Sequence, residues 1–172
     1  MTDNCQRLEA RVHTPLLQGS NLVTFAVTDK IILAGQPEPE DWVRLAQQGF
    51  SLVVNVRSDP QRAAAQADKA HAEGLAYQHL TVPAYELETA HIQAFRDALA
   101  AAAEGKVLVH CRTASRVALM WMLHRMVNDG WNQQQAEAEL QQAGYSDDDM
   151  DVFRYCTEDF LERASMTDLI LS

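Results

Sequence analysis

Hydrophobic positions along the chain form short runs typical of strands, separated by longer periodic stretches typical of helices. The short runs predict strands at residues 22–27, 31–34, 50–56, 76–82 and 107–109. Helical spacing and end signals predict helices at residues 40–48, 60–73, 89–104, 117–127 and 132–143, and a last one from residue 147. This alternation predicts an α/β domain: a central parallel or mixed sheet of about five strands, flanked by helices on both faces.

The beginning of the chain lacks this pattern. Residues 1–21 carry no clear period, so we predict an N-terminal arm followed by a single α/β domain over residues 22–172. Residues 1–11 are polar, and no apolar run is long enough to span a bilayer. The sequence therefore predicts a soluble protein in the cytoplasm.

Composition narrows the classes of partner and cofactor. The net charge of −10 argues against binding to nucleic acid or to an anionic membrane, because both require a basic surface. The three cysteines and six histidines show no metal-ligand spacing, and the acidic run at residues 147–149 is more typical of a helix start than of a calcium loop. We expect no metal and no cofactor. An anionic substrate must then be captured by a local positive pocket.

The segment from residue 106 to residue 128 carries the candidate chemistry. Residues 107–109 predict a short buried strand, residues 111–116 are mostly polar, and residues 117–127 are apolar on almost every side, as in a buried helix. A helix N-terminus presents unpaired N–H groups and a partial positive charge. Both favour a bound anion and the thiolate form of a nearby cysteine, here Cys111.

His110-Cys111, four further residues and Arg116 resemble the phosphate-binding loop of cysteine-dependent phosphatases, whose signature has five residues between cysteine and arginine. The shorter spacing resembles two groups: rhodanese-like sulfurtransferases, and a bacterial phosphatase-like family of unknown function. The second is favoured by Ile-Leu-Ala-Gly-Gln-Pro at residues 32–37 and Val-Val-Asn-Val-Arg at residues 53–57. The resemblance covers roughly residues 30–130 and implies a fold like that of tyrosine and dual-specificity phosphatases.

The resemblance also implies roles for the residues of the loop. Cys111 would attack phosphorus and form a cysteinyl-phosphate, and Arg116 would clamp two phosphate oxygens with its guanidinium fork. Arg112, Thr113, Ala114 and Ser115 would bind the oxyanion mainly through backbone N–H groups, and His110 would hold the loop by a hydrogen bond. The implied substrate is a phosphorylated small molecule or a phosphoprotein, and the oligomeric state is left open.

Three positions depart from the phosphatase pattern. The loop has no glycine, so a positive φ at Ala114 would be strained. Val117 stands where a hydroxyl residue often supports departure of the thiolate. The aspartate expected as general acid after the preceding strand is missing, and Glu86 is the candidate substitute, with Glu88 as an alternative.

Two other functions remain open from the sequence. A rhodanese-like sulfurtransferase would carry a persulfide on Cys111 and would need no general acid, although the segment that usually precedes a rhodanese loop is missing. A pseudoenzyme would keep the anion cradle and bind an oxyanion or a phosphorylated partner without turnover.

Overall fold

The chain forms a five-stranded mixed sheet with helices on both faces. The computed structural model describes residues 16–83, 86–102 and 104–171, with side chains up to residue 165. Its strands are β1 (Thr24–Ala26), β2 (Ile31–Ala34), β3 (Phe50–Asn55), β4 (Ala76–His79) and β5 (Lys106–His110). They lie in the order β1-β2-β5-β3-β4, with β1 antiparallel to β2 and the other neighbours parallel. The predicted fold class is confirmed.

Six helices are formed by the described residues. They are α1 (Asp41–Gln47), α2 (Pro60–Ala72), α3 (Thr89–Ala100), α4 (Ser115–Asn128), α5 (Gln133–Ala143) and α6 (Asp147–Leu171). Asp59 caps α2 by accepting hydrogen bonds from two backbone N–H groups of its first turn, and Asn132 caps α5 in the same way. The acidic residues 147–149 occupy the first turn of α6, where negative charge is favourable.

The strands at the centre of the sheet are covered on both faces. On β3 and β5, successive side chains alternate between two hydrophobic clusters: Val54 and Val109 lie in the larger one, Val53 and Leu108 in the smaller one. The larger cluster also contains the buried hydrophobic residues of α3 and α4, and the smaller one those of α1. Burial on both faces explains the nearly continuous apolar runs of β3 and β5 in the sequence.

Some predicted boundaries differ from the observed ones, two predicted elements being too long and one too short. The edge strand β4 ends at His79 rather than at residue 82, because His79 pairs with Asn55, the last residue of β3, and no strand extends further beside it. Helix α3 ends at Ala100 rather than at residue 104, and α4 begins at Ser115, two residues earlier than predicted.

The predicted arm of residues 1–21 is only partly covered, because residues 1–15 lie outside the described part of the chain. Residues 16–21 are not loosely held. Leu17 is completely buried in the smaller cluster, and the Ser20 hydroxyl donates to the carboxylate of Asp41, which is 1% exposed. Residues 16–21 therefore pack against the rest of the fold, while the boundary between arm and domain stays a prediction.

Candidate active site

The loop that carries Cys111 connects β5 to α4 at the carboxyl end of the parallel strands, where ligands bind in open α/β sheets. Backbone hydrogen bonds fix its start on both sides. The Cys111 N–H donates to the carbonyl of Ala34 (3.2 Å), and the carbonyl of His110 accepts from the Val56 N–H (3.0 Å). The neighbouring strands thus determine where the sulfur lies.

The turn after β2 packs directly against the loop. The Gln36 N–H donates to the carbonyl of Arg112 (3.2 Å), and Gly35 forms a bridge with Thr113. A Cβ atom at residue 35 would lie 3.3 Å from the carbonyl oxygen of Arg112, tighter than an ordinary contact. This close approach explains the glycine of the Gly-Gln-Pro segment.

An open pocket of about 320 Å³ lies over the loop. Its described lining consists of Arg57, Ser58, Cys111, Arg112, Thr113 and Arg116. Cys111 is mostly buried but contributes to this lining, and the guanidinium residue Arg116, on the first turn of α4, lines the same pocket. The structure therefore brings together the predicted nucleophile and the predicted clamp, with the helix N-terminus beneath them.

Ala114 and Ser115 complete the loop without lining the pocket. Ala114 is completely buried and adopts the left-handed conformation, with φ at +70°. A left-handed conformation costs a non-glycine residue about 1–2 kcal/mol. Ser115 is the exposed first residue of α4, and its hydroxyl is the acceptor of a long hydrogen bond from Thr113 (3.5 Å).

Tyr145 holds the strained residue in place. Its hydroxyl donates a buried hydrogen bond of 2.7 Å to the carbonyl of Ala114. Its ring stacks on Phe25, with 3.9 Å between ring centroids, and meets the edge of Phe153. Burial raises the pKa of Tyr145 well above its usual value, and the nearby Cys111 and Asp149 raise it further. The phenol therefore stays protonated and remains a donor.

His110 supports the loop from inside the core. It is fully buried, and its Nδ1 lies 3.4 Å from the carbonyl oxygen of Cys111, while its Nε2 has no hydrogen-bond partner among the described residues. Burial lowers the pKa of His110 to about 4, with smaller effects from that hydrogen bond, which opposes the shift, and from Arg57 and His79, which add to it. The imidazole is neutral at neutral pH, which suits a supporting role.

Arg57 enters the pocket from the end of β3 and was not predicted as a site residue. Its Nη1 donates to the side-chain oxygen of Gln36 (2.7 Å), and its backbone N–H donates to the side-chain oxygen of Asn55 (2.8 Å). The ring Nε2 of His79 lies within hydrogen-bonding distance of the Arg57 carbonyl. The sequence feature that could have identified Arg57 is its position directly after a central parallel strand, because ligands bind at the carboxyl ends of such strands.

Glu86 lies elsewhere. It is exposed, has φ at +61°, and lines a second pocket of about 300 Å³ together with Leu87, Leu119 and residues of α6. It is not part of the described lining of the Cys111 pocket, and that lining contains no carboxylate. Glu86 thus lines a different pocket from the nucleophile, and its role as general acid stays a prediction.

Two further findings concern the described residues as a whole. They contain no group of three or more histidine, cysteine, aspartate or glutamate side chains placed to hold a metal ion. None of the helices they form combines the length and the apolar character needed to cross a bilayer.

Comparison with known proteins identifies the family. A model of the phosphatase-like domain of beta-lactamase hydrolase-like proteins matches residues 24–128, which include all five strands and the whole Cys111 loop. The chain belongs to this family. A beta-lactamase hydrolase-like protein of Xylella fastidiosa is 30% identical over 117 residues, covering 65% of this chain. The chain matches only 27% of the length of that relative.

The chain is also similar to a protein that is named a phosphatase. The dual specificity protein phosphatase TpbA of Pseudomonas aeruginosa is 37% identical over 59 residues, 34% of this chain and 27% of TpbA. The crystal structure of a TpbA variant in complex with phosphotyrosine superposes with a TM-score of 0.61 at 21% identity, covering 86% of this chain and 88% of that one. This likeness establishes a fold of the protein tyrosine phosphatase type.

Proposed function

We propose that the chain is a cysteine-dependent phosphatase that hydrolyses a phosphoester through a cysteinyl-phosphate on Cys111. The observation that carries the proposal is the shared pocket: Cys111 and Arg116 line it together, above the N-terminus of the buried helix α4. Membership of a phosphatase-like family supports the same reaction class. The likeness to TpbA supports an enzyme of the tyrosine- or dual-specificity-like type, with the phosphoester carried by a small molecule or by a protein.

In the first step, the Cys111 sulfur attacks phosphorus, an S–P bond forms and the P–O bond to the leaving group breaks. Arg116 and the N–H groups of residues 112–116 stabilise the negative charge on the phosphoryl oxygens. In the second step, water attacks phosphorus, the S–P bond breaks and phosphate leaves with the thiolate restored. Neutral His110 holds the loop carbonyl throughout and transfers no proton.

The leaving oxygen also needs a proton unless it is a stable anion. Glu86, proposed from the sequence as the acid, lines the second pocket, and the described lining of the Cys111 pocket offers no other carboxylate. We therefore propose a preference for leaving groups that depart without protonation. Aryl phosphates should be turned over much faster than alkyl phosphates, and Glu86→Gln should change the rate on aryl phosphates little.

The direct test measures phosphate release from an aryl phosphate. Cys111→Ser should abolish it, and Arg116→Lys should lower kcat/KM by at least about tenfold, because lysine keeps the charge but loses the two-pronged contact. Cys156→Ser is the matched control, since Cys156 lies on α6 outside the pocket. Full activity in Cys111→Ser would refute the proposal.

A second assay separates the alternative functions. Thiocyanate formed from thiosulfate and cyanide, and lost in Cys111→Ser, would replace the phosphatase with a sulfurtransferase. Phosphate binding without turnover of any phosphoester would replace it with a pseudoenzyme that keeps the cradle. Either result contradicts the proposed reaction, and phosphate release dependent on Cys111 supports it.

A further inference from the structure

The arginines of this acidic chain fall into two groups. Six of the nine described arginines lie within 4.0 Å of a carboxylate oxygen, whereas the three that line the Cys111 pocket have no carboxylate partner among the described residues. The three without a carboxylate partner are Arg57, Arg112 and Arg116. The net charge of −10 means that carboxylates are plentiful in this chain. The lack of carboxylate partners for these three arginines is therefore a feature of the pocket and not of the overall composition.

One phosphoryl group does not require all three. The helix N-terminus, the loop N–H groups and the fork of Arg116 already provide donors for its oxygens. Arg57 approaches from a different strand, at the end of β3, with Ser58 beside it in the lining. The guanidinium groups of Arg57 and Arg112 and the hydroxyl of Ser58 therefore line the part of the pocket beside the phosphoryl position.

Arg57 is also held in a fixed direction. Its guanidinium donates to the neutral amide oxygen of Gln36 at 2.7 Å, and its backbone N–H donates to Asn55 at 2.8 Å. A neutral acceptor orients the side chain and leaves its positive charge uncompensated. The remaining N–H groups of the fork are available for a ligand, since a guanidinium has five donors.

The pocket has room for more than a phosphoryl group. Its volume of about 320 Å³ is at the lower end of the range for small-molecule sites, about 300–1,000 Å³. The described lining contains no carboxylate that would repel an anion. A compact ligand with two negative groups fits both the size and the charge of this space.

We propose that the substrate is a small phosphoester with a second anionic group, a carboxylate or another phosphate, bound by Arg57 and Ser58 with Arg112 beside them. The inference rests on the proposed function, because it takes the phosphoryl group bound at Cys111 as the one that is hydrolysed. The binding of the second group can be measured separately, in a protein that lacks the nucleophile.

The test compares three ligands on Cys111→Ser protein by calorimetry: phenyl phosphate, meta-carboxyphenyl phosphate and resorcinol bisphosphate. The two ligands with a second anion should bind at least about tenfold more tightly than phenyl phosphate, the difference expected of one charge-assisted contact. Adding Arg57→Gln should reduce this ratio to near one. Gln36→Leu, which removes the acceptor that orients Arg57, should lower the ratio without removing the charge.

Arg62→Gln is the matched control. Arg62 lies on the first turn of α2, is paired with Asp59 and does not line the pocket, so its loss changes the net charge equally but should leave the ratio intact. Equal affinity for all three ligands would overturn the inference. A preference that survives Arg57→Gln, or that falls equally in Arg62→Gln, would also overturn it, because the general field of the protein would then be the cause.

Turnover by the unmodified protein separates this inference from the proposed function. A preference in binding with no phosphate released from any of the three ligands would contradict the phosphatase and support the second anion site. Phosphate released from all three with the same kcat/KM would support the phosphatase and contradict the second site. Release that is faster from the two ligands with a second anionic group, mainly through a lower KM, supports both.

Discussion

Tyr145→Phe removes a single hydroxyl, the one that holds the Cys111 loop at its strained residue. In the native protein this hydroxyl donates to the carbonyl of Ala114 at 2.7 Å, in a fully buried position. The ring contacts with Phe25 and Phe153 do not involve the hydroxyl and should persist. The variant therefore tests one hydrogen bond rather than the packing around it.

The expected magnitude follows from two opposing effects. A buried carbonyl that loses its partner costs about 1–3 kcal/mol. The left-handed conformation of Ala114 costs about 1–2 kcal/mol, which the hydrogen bond offsets in the native loop. Tyr145→Phe should therefore lower the free energy of unfolding by about 1–3 kcal/mol if Ala114 keeps its conformation, and by less if Ala114 relaxes and releases its strain. Relaxation of Ala114 would also turn loop N–H groups away from the pocket, and each 1.4 kcal/mol lost there weakens phosphate binding about tenfold.

The assay pairs urea unfolding with phosphate affinity for four proteins: the unmodified chain, Tyr145→Phe, Ala114→Gly and the double variant. Glycine adopts positive φ without strain, so Ala114→Gly should not destabilise the loop and should restore phosphate affinity to Tyr145→Phe. Tyr155→Phe is the matched control, because Tyr155 is 74% exposed on α6 and should show no change in either measurement.

The reasoning fails if Tyr145→Phe loses stability but binds phosphate as tightly as the unmodified protein. Tyr145 would then be only a core residue. It also fails if Ala114→Gly weakens phosphate binding further instead of rescuing it, since the left-handed strain would then have no bearing on the anion site.

Three other predictions concern stability. Burial lowers the pKa of His110 to about 4, against about 6.5 in the unfolded chain. Between these values the unfolded chain binds more protons than the folded one, so the free energy of unfolding should fall by about 3 kcal/mol as the pH drops from 6.5 to 4. Urea titrations at several pH values should show a shallower loss in His110→Gln. Arg125→Leu should cost about 2 kcal/mol in the same assay. It leaves the carboxylate of Glu139, only 15% exposed, with the Trp121 N–H but without its cationic partner at 2.8 Å, and it removes the guanidinium that lies over the rings of Trp121 and Trp131. A loss no larger than that of Arg96→Leu would contradict this. Gly105→Ala should lower the melting temperature, since the φ of Gly105 is +93° and a Cβ would lie 2.8 Å from the carbonyl oxygen of Gly49. Gly74→Ala should lower the melting temperature less, because Gly74 has a positive φ but, beyond its chain neighbours, no atom of the described residues within 4 Å of an added Cβ.

The sequence predicted the parts of this fold that local patterns determine. The runs of β3 and β5 are apolar throughout because both faces are covered, and the Cys111 loop is a single contiguous segment between a strand and a helix. The position of each is therefore visible without knowledge of the tertiary structure. The expectation of strain at Ala114 was confirmed by its positive φ.

The remaining site residues depend on contacts distant in sequence. Tyr145 follows α5 and reaches a residue 31 positions earlier, so only the packing of α5 and α6 against α4 brings it to the loop. Arg57 joins the pocket because β3 lies beside β5 in the sheet, a strand order that the periodicity alone leaves undetermined. Glu86 follows the edge strand β4 in sequence and lines a pocket with residues of α6, which lie far from it in the chain.

The central claim is a covalent bond between Cys111 and phosphorus, and acid quenching during turnover of an aryl phosphate tests it most directly. Mass spectrometry of the digested protein should find one added phosphoryl group on the peptide that contains Cys111, and none in Cys111→Ser or in protein quenched before substrate is added. Steady release of phosphate with no phosphoryl group on that peptide in protein quenched at the earliest times, or the same label on another residue, would contradict the account.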